Sequence, residues 1–451
     1  MEKIIYNVSD KPPVGKLLFG SFQQLLAILA ATIAVPNIIG NGMSTSAALL
    51  GAGVGTIVYL LFTRFKSPVF LGSSFSYLGS MASAFAGAAS ISIGYLGLIM
   101  GASFAGLVYV ILALITKKFG TKWMDKVLPP VVIGPVVSII GLTLAPNAVS
   151  DLFASNVVNG HYIAMVIGLI TLFTTIIVSL AAKKTFKLIP FIIGIGAGYA
   201  LAAILTLIGN LADVDILKII DFSKFENMKW VPDFTFVEAF KGFSDFSGAG
   251  EFFTYFITVI VAYIPVAFVS FAEHIADHKN LSSIIGKDLI KDPGLDKTLL
   301  GDGVGSIAGA FFGGCPNTTY GESIGCVALS GNASIYTIFM AAIMAIIISF
   351  FAPFITLLST IPSCVMGGVC MALYGFIAVS GLKMLKNVDL SDNGNIYIIS
   401  VILIAGIGSF MLTIDKVTLT PVASALILGV ITNFIVNFIR RKRPEKSNDK
   451  E

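Results

Sequence analysis

Two acids stand where a membrane-crossing helix would carry leucine. Glu322 lies in "GGCPNTTYGESIG", residues 313–325, a run of glycine, proline, asparagine and threonine set between apolar stretches. Glu273 lies in "VAYIPVAFVSFAEHIADHKN", residues 261–280, which begins apolar and ends in ionisable groups. A carboxylate in hydrocarbon costs at least about 2.5–3.5 kcal/mol unless it has a partner or a function. In helical spacing Glu273 and Asp277 share one face, and His274 and His278 form the adjacent stripe. Lys279 marks the expected cytoplasmic end, so Asp277 and His278 are placed nearer water than Glu273. His278 is read either as a solvated helix end or as a group that passes protons. The spacing of His274 and His278 also suits a zinc-binding helix. Only one other histidine exists, His161, and no cysteine pair offers ligands, so neither a metal nor another cofactor is expected.

The elements that must hold these acids follow from composition. Of the 451 residues 56% are hydrophobic and only 12% charged, and the mean hydropathy is +0.91, which excludes a water-soluble globule. Apolar stretches of about 20 residues recur from Leu17 to Ile439, and about fourteen segments are expected, some short or broken. The fold class is therefore an all-α polytopic membrane protein, and runs of this length exclude an outer-membrane barrel. Residues 1–15 are polar, with Pro12 next to Pro13, so the first apolar run, after Lys16, is read as a span and not a cleaved signal. Cys315, Cys326, Cys364 and Cys370 all fall in apolar segments and are expected to be free thiols.

Charge gives the orientation. Loops after even-numbered segments carry Arg64 and Lys66; Lys117, Lys118, Lys122 and Lys126; Lys183, Lys184 and Lys187; and Lys279, Lys287 and Lys291. Later ones carry Lys383, Lys386 and the tail Arg440 to Arg443, whereas "PNIIGNGMSTS" and "PNAVSDLFASNVVNGHY" carry none. Lys416 and the mixed segment from about 209 to 250 are the exceptions. The positive-inside rule then puts both termini in the cytoplasm. The net charge of +4 follows this topology and forms no patch, so nucleic acid is not an expected partner; the lipid bilayer is.

The chain also echoes itself. "LPPVVIGPVV" at 128–137 matches "IPSCVMGGVC" at 361–370, and "FLGSSF" at 70–75 loosely matches "FFGGCP" at 311–316. With fourteen segments each repeat holds an odd number, so the halves must be inverted, two seven-segment repeats as in secondary transporters. Residues 67–80, "SPVFLGSSFSYLGS", and 311–325 each read as a short extended piece followed by a helix. Extended backbone at membrane depth is tolerated only where protein covers it or it lines a cavity. Half-helices that start there turn unpaired N–H groups into the cavity. Glu273 and Glu322 facing such a cavity would suit a planar ligand with alternating N–H donors and C=O acceptors. Uracil fits, with Phe75 and Tyr320 as flat walls, and so do purines and other imide-like rings. Two acids in one dry chamber repel, so protonation is expected to accompany loading.

These stretches resemble the nucleobase-ascorbate transporter family, the nucleobase cation symporters of the second class. The likeness rests on "YNVSDKPP", "FLGSSFSY", "LPPVVIG", "FAEHIADH", "KDLIKDPGLDKTLLGDG", "NTTYGESIG" and "IPSCVMGGV", in family order along nearly the whole chain. The resemblance implies a core domain from segments 1–4 (16–116) and 8–11 (251–357). It implies a gate domain from segments 5–7 (126–208) and 12–14 (358–443), joined by an extracytoplasmic connection at 209–250. It further implies short strands in segments 3 and 10, substrate held by Glu273 and Glu322 with the Phe75 and Gly321 amides, and Ser74 and Tyr320 beside them. Proton symport, often as a homodimer, is the implied activity, with Glu273, Asp277 or His278 handling the proton. "YGE" favours uracil over the xanthine and urate branches. Two departures stand out: the family often has histidine where Asp277 stands, and asparagine where Ser323 stands. The first leaves a coupling cation other than the proton open. A purine or xanthine permease, or an anion transporter of the same architecture, is the alternative.

Overall fold

The computed structural model describes residues 4–120, 123, 128–155, 157–182, 184–414 and 417–442. Lys122, Lys126, Lys183, Lys416 and Arg443 lie outside these, and so do the expected domain limits 126 and 443. In lipid a spanning segment must satisfy its own backbone, so the apolar runs wind into helices. The first group is α1 (Val14–Ile39), α2 (Thr45–Phe62), strand β1 (Leu71–Ser73), α3 (Leu78–Ala86) and α4 (Ile91–Phe119). Next come α5 (Pro130–Leu152), α6 (His161–Ala181), α7 (Pro190–Ala212) and the short α8 (Thr235–Gly242). α9 (Ala249–Ile285), α10 (Leu295–Gly313), strand β2 (Asn317–Thr319), α11 (Gly321–Ser330), α12 (Ile335–Ser349) and α13 (Ala352–Ser359) follow. The chain ends with α14 (Ser363–Met384), α15 (Asn393–Ile407), the hairpin β3 (Leu412–Ile414) and β4 (Val417–Leu419), and α16 (Pro421–Lys442).

Nine of these helices are long and apolar enough to cross a membrane among the described residues, and α12 with α13, bent by 82°, add a tenth. The protein is an integral, multi-pass membrane protein. α9 has 37 residues, about 55 Å at 1.5 Å per residue, longer than the hydrocarbon it crosses. The helices also reach further than the sequence suggests. "PNIIGNGMSTS" and "PNAVSDLFASNVVNGHY" are expected to be loops, yet α1 runs through Pro36 to Ile39 and α5 through Pro146 to Leu152. Proline inside a membrane helix is tolerated because neighbours satisfy the freed carbonyl.

α2 lies against α10 and α12, α4 against α9 and α10, and α1 against α12. Among the rest, α5 lies against α14, α15 and α16, and α6 against α7 and α14. The two sets meet where α1 runs beside α7 and α14, and α9 beside α5 and α16. Without a hydrophobic drive between helices in lipid, small residues must bring backbones close enough for dispersion to hold them. α10 shows this on both sides: a Cβ added to Gly305 would stand 2.7 Å from the Gly55 carbonyl oxygen, and one on Gly303 2.9 Å from that of Gly106. The echoed segments at 128–137 and 361–370 open α5 and α14, which pack together. Of the other echo, 70–75 contains strand β1, whereas 311–316 ends just before strand β2. All four cysteines are buried free thiols.

Substituting Gly305→Val should cost about 1–3 kcal/mol through overpacking between α2 and α10. Gly196→Ala, where nothing lies within 4 Å of the added carbon, should be neutral. Thermal unfolding of the purified protein in detergent checks both. Equal midpoints for the two variants would contradict the packing.

Candidate functional site

β1 and β2 pair antiparallel, Leu71 opposite Thr319, Gly72 opposite Thr318 and Ser73 opposite Asn317. Each is a break in what would otherwise be a membrane helix, so their polar groups need partners, and neighbouring side chains supply them. The Leu71 amide donates to Thr56 Oγ1 (2.9 Å), and that hydroxyl lies 3.1 Å from the Leu71 carbonyl. Asn317 Nδ2 donates to the Gly51 carbonyl at 2.9 Å. Beyond the strand ends the Ser74 amide donates to Pro316 O (2.9 Å) and the Tyr320 amide to Phe70 O (3.2 Å). Tyr320 lays its ring over Gly72, where an added Cβ would stand 2.5 Å from ring carbons, and its hydroxyl donates to Ser73 O at 2.7 Å. Ser323 faces inward: its Oγ accepts from the Phe70 amide at 3.3 Å, and its carbonyl accepts from Gln24 Nε2 at 3.3 Å.

α9 divides its polar residues between two faces. Glu273 and Asp277 are part-exposed to a cavity of about 340 Å³ that Glu322 also lines. Ser76 Oγ donates to Glu273 Oε2 (2.7 Å), and Thr319 Oγ1 donates to Asp277 Oδ2 (2.6 Å), so each α9 acid is tied to one of the two broken segments. The adjacent stripe carries the histidines. His274 Nδ1 lies 2.6 Å from Asp302 Oδ2 and its Nε2 3.0 Å from Thr298 Oγ1, both on α10. His278 Nδ1 pairs with the His274 carbonyl at 2.8 Å and its Nε2 with the Tyr59 hydroxyl at 2.7 Å. The two rings stack with centroids 4.0 Å apart.

The structure thus brings Glu273, Glu322, Phe75, Gly321, Tyr320, Ser74 and Asp277 together on one cavity. His278 is not among its lining residues. Nor is it a solvated helix end: it is fully buried, because α9 continues past it to Ile285 and Tyr59 caps the ring. Asp277 shares the cavity with Glu273.

Several groups at this cavity are unspent. α11 begins at Gly321, so the amides of its first turn have no intrahelical acceptor. Among the described residues neither the Phe75 nor the Gly321 amide has a protein acceptor, and nothing lies within 4 Å of a carbon added at Gly321. The Ser74 hydroxyl is buried and unpaired among the described residues. The opposite wall is apolar, with Val137, Ile140, Leu373, Phe376 and Ile377 from α5 and α14, and no Lys or Arg among the described residues lines the space. The arrangement offers carboxylate acceptors and amide donors around one cavity.

Sequence reasoning does not single out Asp302, Ser76 or Thr319. Asp302 has a readable signal, a lone acid in "TLLGDGVGSIAGA", a glycine-rich apolar run. Ser76 and Thr319 have none, since a hydroxyl is unremarkable until its partner is known.

Comparisons with known proteins give the family and the fold. The family described as "Permease family" (Xan_ur_permease) matches residues 15–414. The chain is 39% identical to the uracil permease of Bacillus caldolyticus over 443 residues, covering 97% of this chain and 95% of that one. It is 36% identical to the uracil permease of Bacillus subtilis over 459 residues (99% and 98%), and 31% identical to that of Escherichia coli over 451 residues (99% and 97%). Among solved structures, the transmembrane domain of the cyanobacterial bicarbonate transporter BicA superposes with a TM-score of 0.61 at 16% identity, covering 96% of this chain and all of that one. The inward-facing murine anion transporter Slc26a9 gives 0.62 at 12%, covering 96% and 69%. Those two likenesses establish the fold.

Gly72→Ala should displace the Tyr320 ring and destabilise the strand pair by about 1–3 kcal/mol. Tyr320→Phe should cost about 1 kcal/mol, by leaving the Ser73 carbonyl without its donor. Denaturation of the purified protein measures both. A Gly72→Ala chain as stable as its parent would mean the ring does not rest there.

Proposed function

Because the chain belongs to the permease family, the nucleobase-ascorbate transporters, we propose that it imports uracil across the cytoplasmic membrane by proton symport. The observation that carries this reading is the convergence of Glu273 and Glu322 on one cavity with the free Phe75 and Gly321 amides. Uracil has two ring N–H groups for the two carboxylates and two carbonyls for the two amides, which leaves no buried polar atom of the ring unmet. The unpaired Ser74 hydroxyl stands beside them, and Tyr320 and Phe75 close the faces of the ring. Three relatives named uracil permease, similar along almost their whole length, support the choice of substrate.

Coupling follows from repulsion. Glu273, Asp277 and Glu322 share a chamber with no cation among its described lining residues, so binding a proton with the substrate relieves like-charge contact in a low dielectric. In this reading Asp277 takes the role expected of Asp277 or His278, since only Asp277 reaches the cavity. The proton is held at a carboxylate oxygen while Thr319 links that acid to the strand that precedes Glu322.

Movement is assigned to two bodies. Residues 16–116 with 251–357 form a core that carries the acids and both strands, and 126–208 with 358–443 form a gate that supplies the apolar wall. Fourteen segments in two inverted repeats, both termini in the cytoplasm and a homodimeric assembly belong to the same reading. The cavity lining runs to Phe191 and Met384, at the ends of α7 and α14 next to Lys187 and Lys386. With positive charge inside, this conformation opens to the cytoplasm. An anion transporter of this fold is disfavoured because three acids surround the space.

Uptake of labelled uracil by cells lacking their own permease tests the proposal. Glu322→Gln and Glu273→Gln should each weaken apparent affinity roughly 10- to 100-fold, the loss of one charge-assisted hydrogen bond. Acidifying the outside should accelerate uptake. Saturable uptake unaffected by the proton gradient would keep the substrate and discard the coupling. Stronger competition by xanthine than by uracil would reassign the substrate to purines.

A further inference from the structure

A second cavity, of about 290 Å³, lies at the other end of α14 from Lys383 and Lys386. α14 lines both: Ser363, Met366 and Cys370 face the outer space, and from Leu373 onward the helix faces the central one. One turn beyond Cys370, the buried Tyr374 meets Phe75 of the central cavity edge to face, with centroids 6.0 Å apart. The outer cavity sits where α1 meets α5 and α14, the two sets of helices assigned to core and gate. Its roof comes from residues 219–224 of the long connection. That roof is held down by Lys224 Nζ, which donates to the Ser359 carbonyl at 2.6 Å, while the Ile219 and Ile220 amides both donate to Thr206 Oγ1 at 3.0 Å.

The chemistry of this space parallels that of the central one. Asp151, at the end of α5, is only half-buried, and its carboxylate takes no hydrogen bond or ion pair among the described residues. Asn37, which lines the same space, offers a donor and an acceptor, and Met366 and Cys370 add apolar lining. Lys224, the one cation among the described lining residues, is committed to Ser359 O.

We propose that this outer cavity is a docking site for an incoming nucleobase, with Asp151 accepting from its ring N–H groups, and that the Phe75–Tyr374 contact is the partition the base must pass to reach Glu273 and Glu322. The proposal rests on the uracil-transport reading above. In it the first part of the 209–250 connection closes the outer mouth over a bound base.

Uptake kinetics with labelled uracil, in cells expressing the full chain, separate this site from the central one. Asp151→Asn and Asp151→Ala should raise the KM of uptake about 5- to 30-fold, with the maximal rate held within about twofold. The purified proteins in detergent should keep parental affinity for uracil, because the central site is intact. An unchanged KM overturns the outer site. So does a matching loss of affinity in detergent, which would place Asp151 in the central site or in the fold. Cys370 supplies a second readout. A membrane-impermeant maleimide added outside should label the parent slowly, uracil should protect it, and Cys370→Ser should abolish the signal. Labelling that uracil does not alter counts against the site. If the parent neither binds nor takes up uracil, the functional reading itself falls; if parental uptake and its dependence on Glu322 survive while Asp151 proves indifferent, only the outer site does.

Discussion

A peptide group left without a partner at membrane depth costs several kcal/mol, and the architecture turns on how two broken segments escape that cost. β1 and β2 satisfy one another across the centre of the protein, and Thr56, Ser323 and Tyr320 meet what the short ladder leaves over. The solution is incomplete at one edge. The Phe75 and Gly321 amides end without acceptors among the described residues, on the side where Glu273 and Glu322 stand. A binding site is what remains when the backbone has been satisfied everywhere except where a ligand goes.

Rotation of α9 is the second determinant. One turn places Glu273 and Asp277 toward the cavity only because the next stripe, His274 and His278, is anchored away from the cavity by Asp302, Thr298 and Tyr59. Both histidines are fully buried and both of their ring nitrogens have partners. They set the helix register and leave the cavity to the acids. The Gly55–Gly305 and Gly106–Gly303 approaches fix α10, and with it Asp302, against the first half of the chain.

The acids are legible in sequence because charge in hydrocarbon is expensive enough to be conspicuous, and the helices because apolar length has few other uses. The broken segments are legible as breaks. Their pairing is not: a three-residue strand carries no signal of a partner far along the chain, and the internal echo sets 70–75 against 311–316 when the strand residues are 71–73 and 317–319. His278 departs from expectation for a related reason, since the lysine next to it suggests water and nothing local foretells Tyr59. Asp302 stands in plain view in its glycine-rich run and needs only the rule that picks out Glu322. The helices reach Ile39 and Leu152, past where their prolines suggest a stop, because a proline inside a lipid-spanning helix need not end it.

The most direct measurement is a structure of the protein determined with saturating uracil. The account predicts the ring between the end of β1 and the start of α11, its N–H groups on the Glu273 and Glu322 carboxylates and its carbonyls facing the Phe75 and Gly321 amides. A cavity left empty at saturating uracil, or a ring bound without contact to either carboxylate, would contradict it.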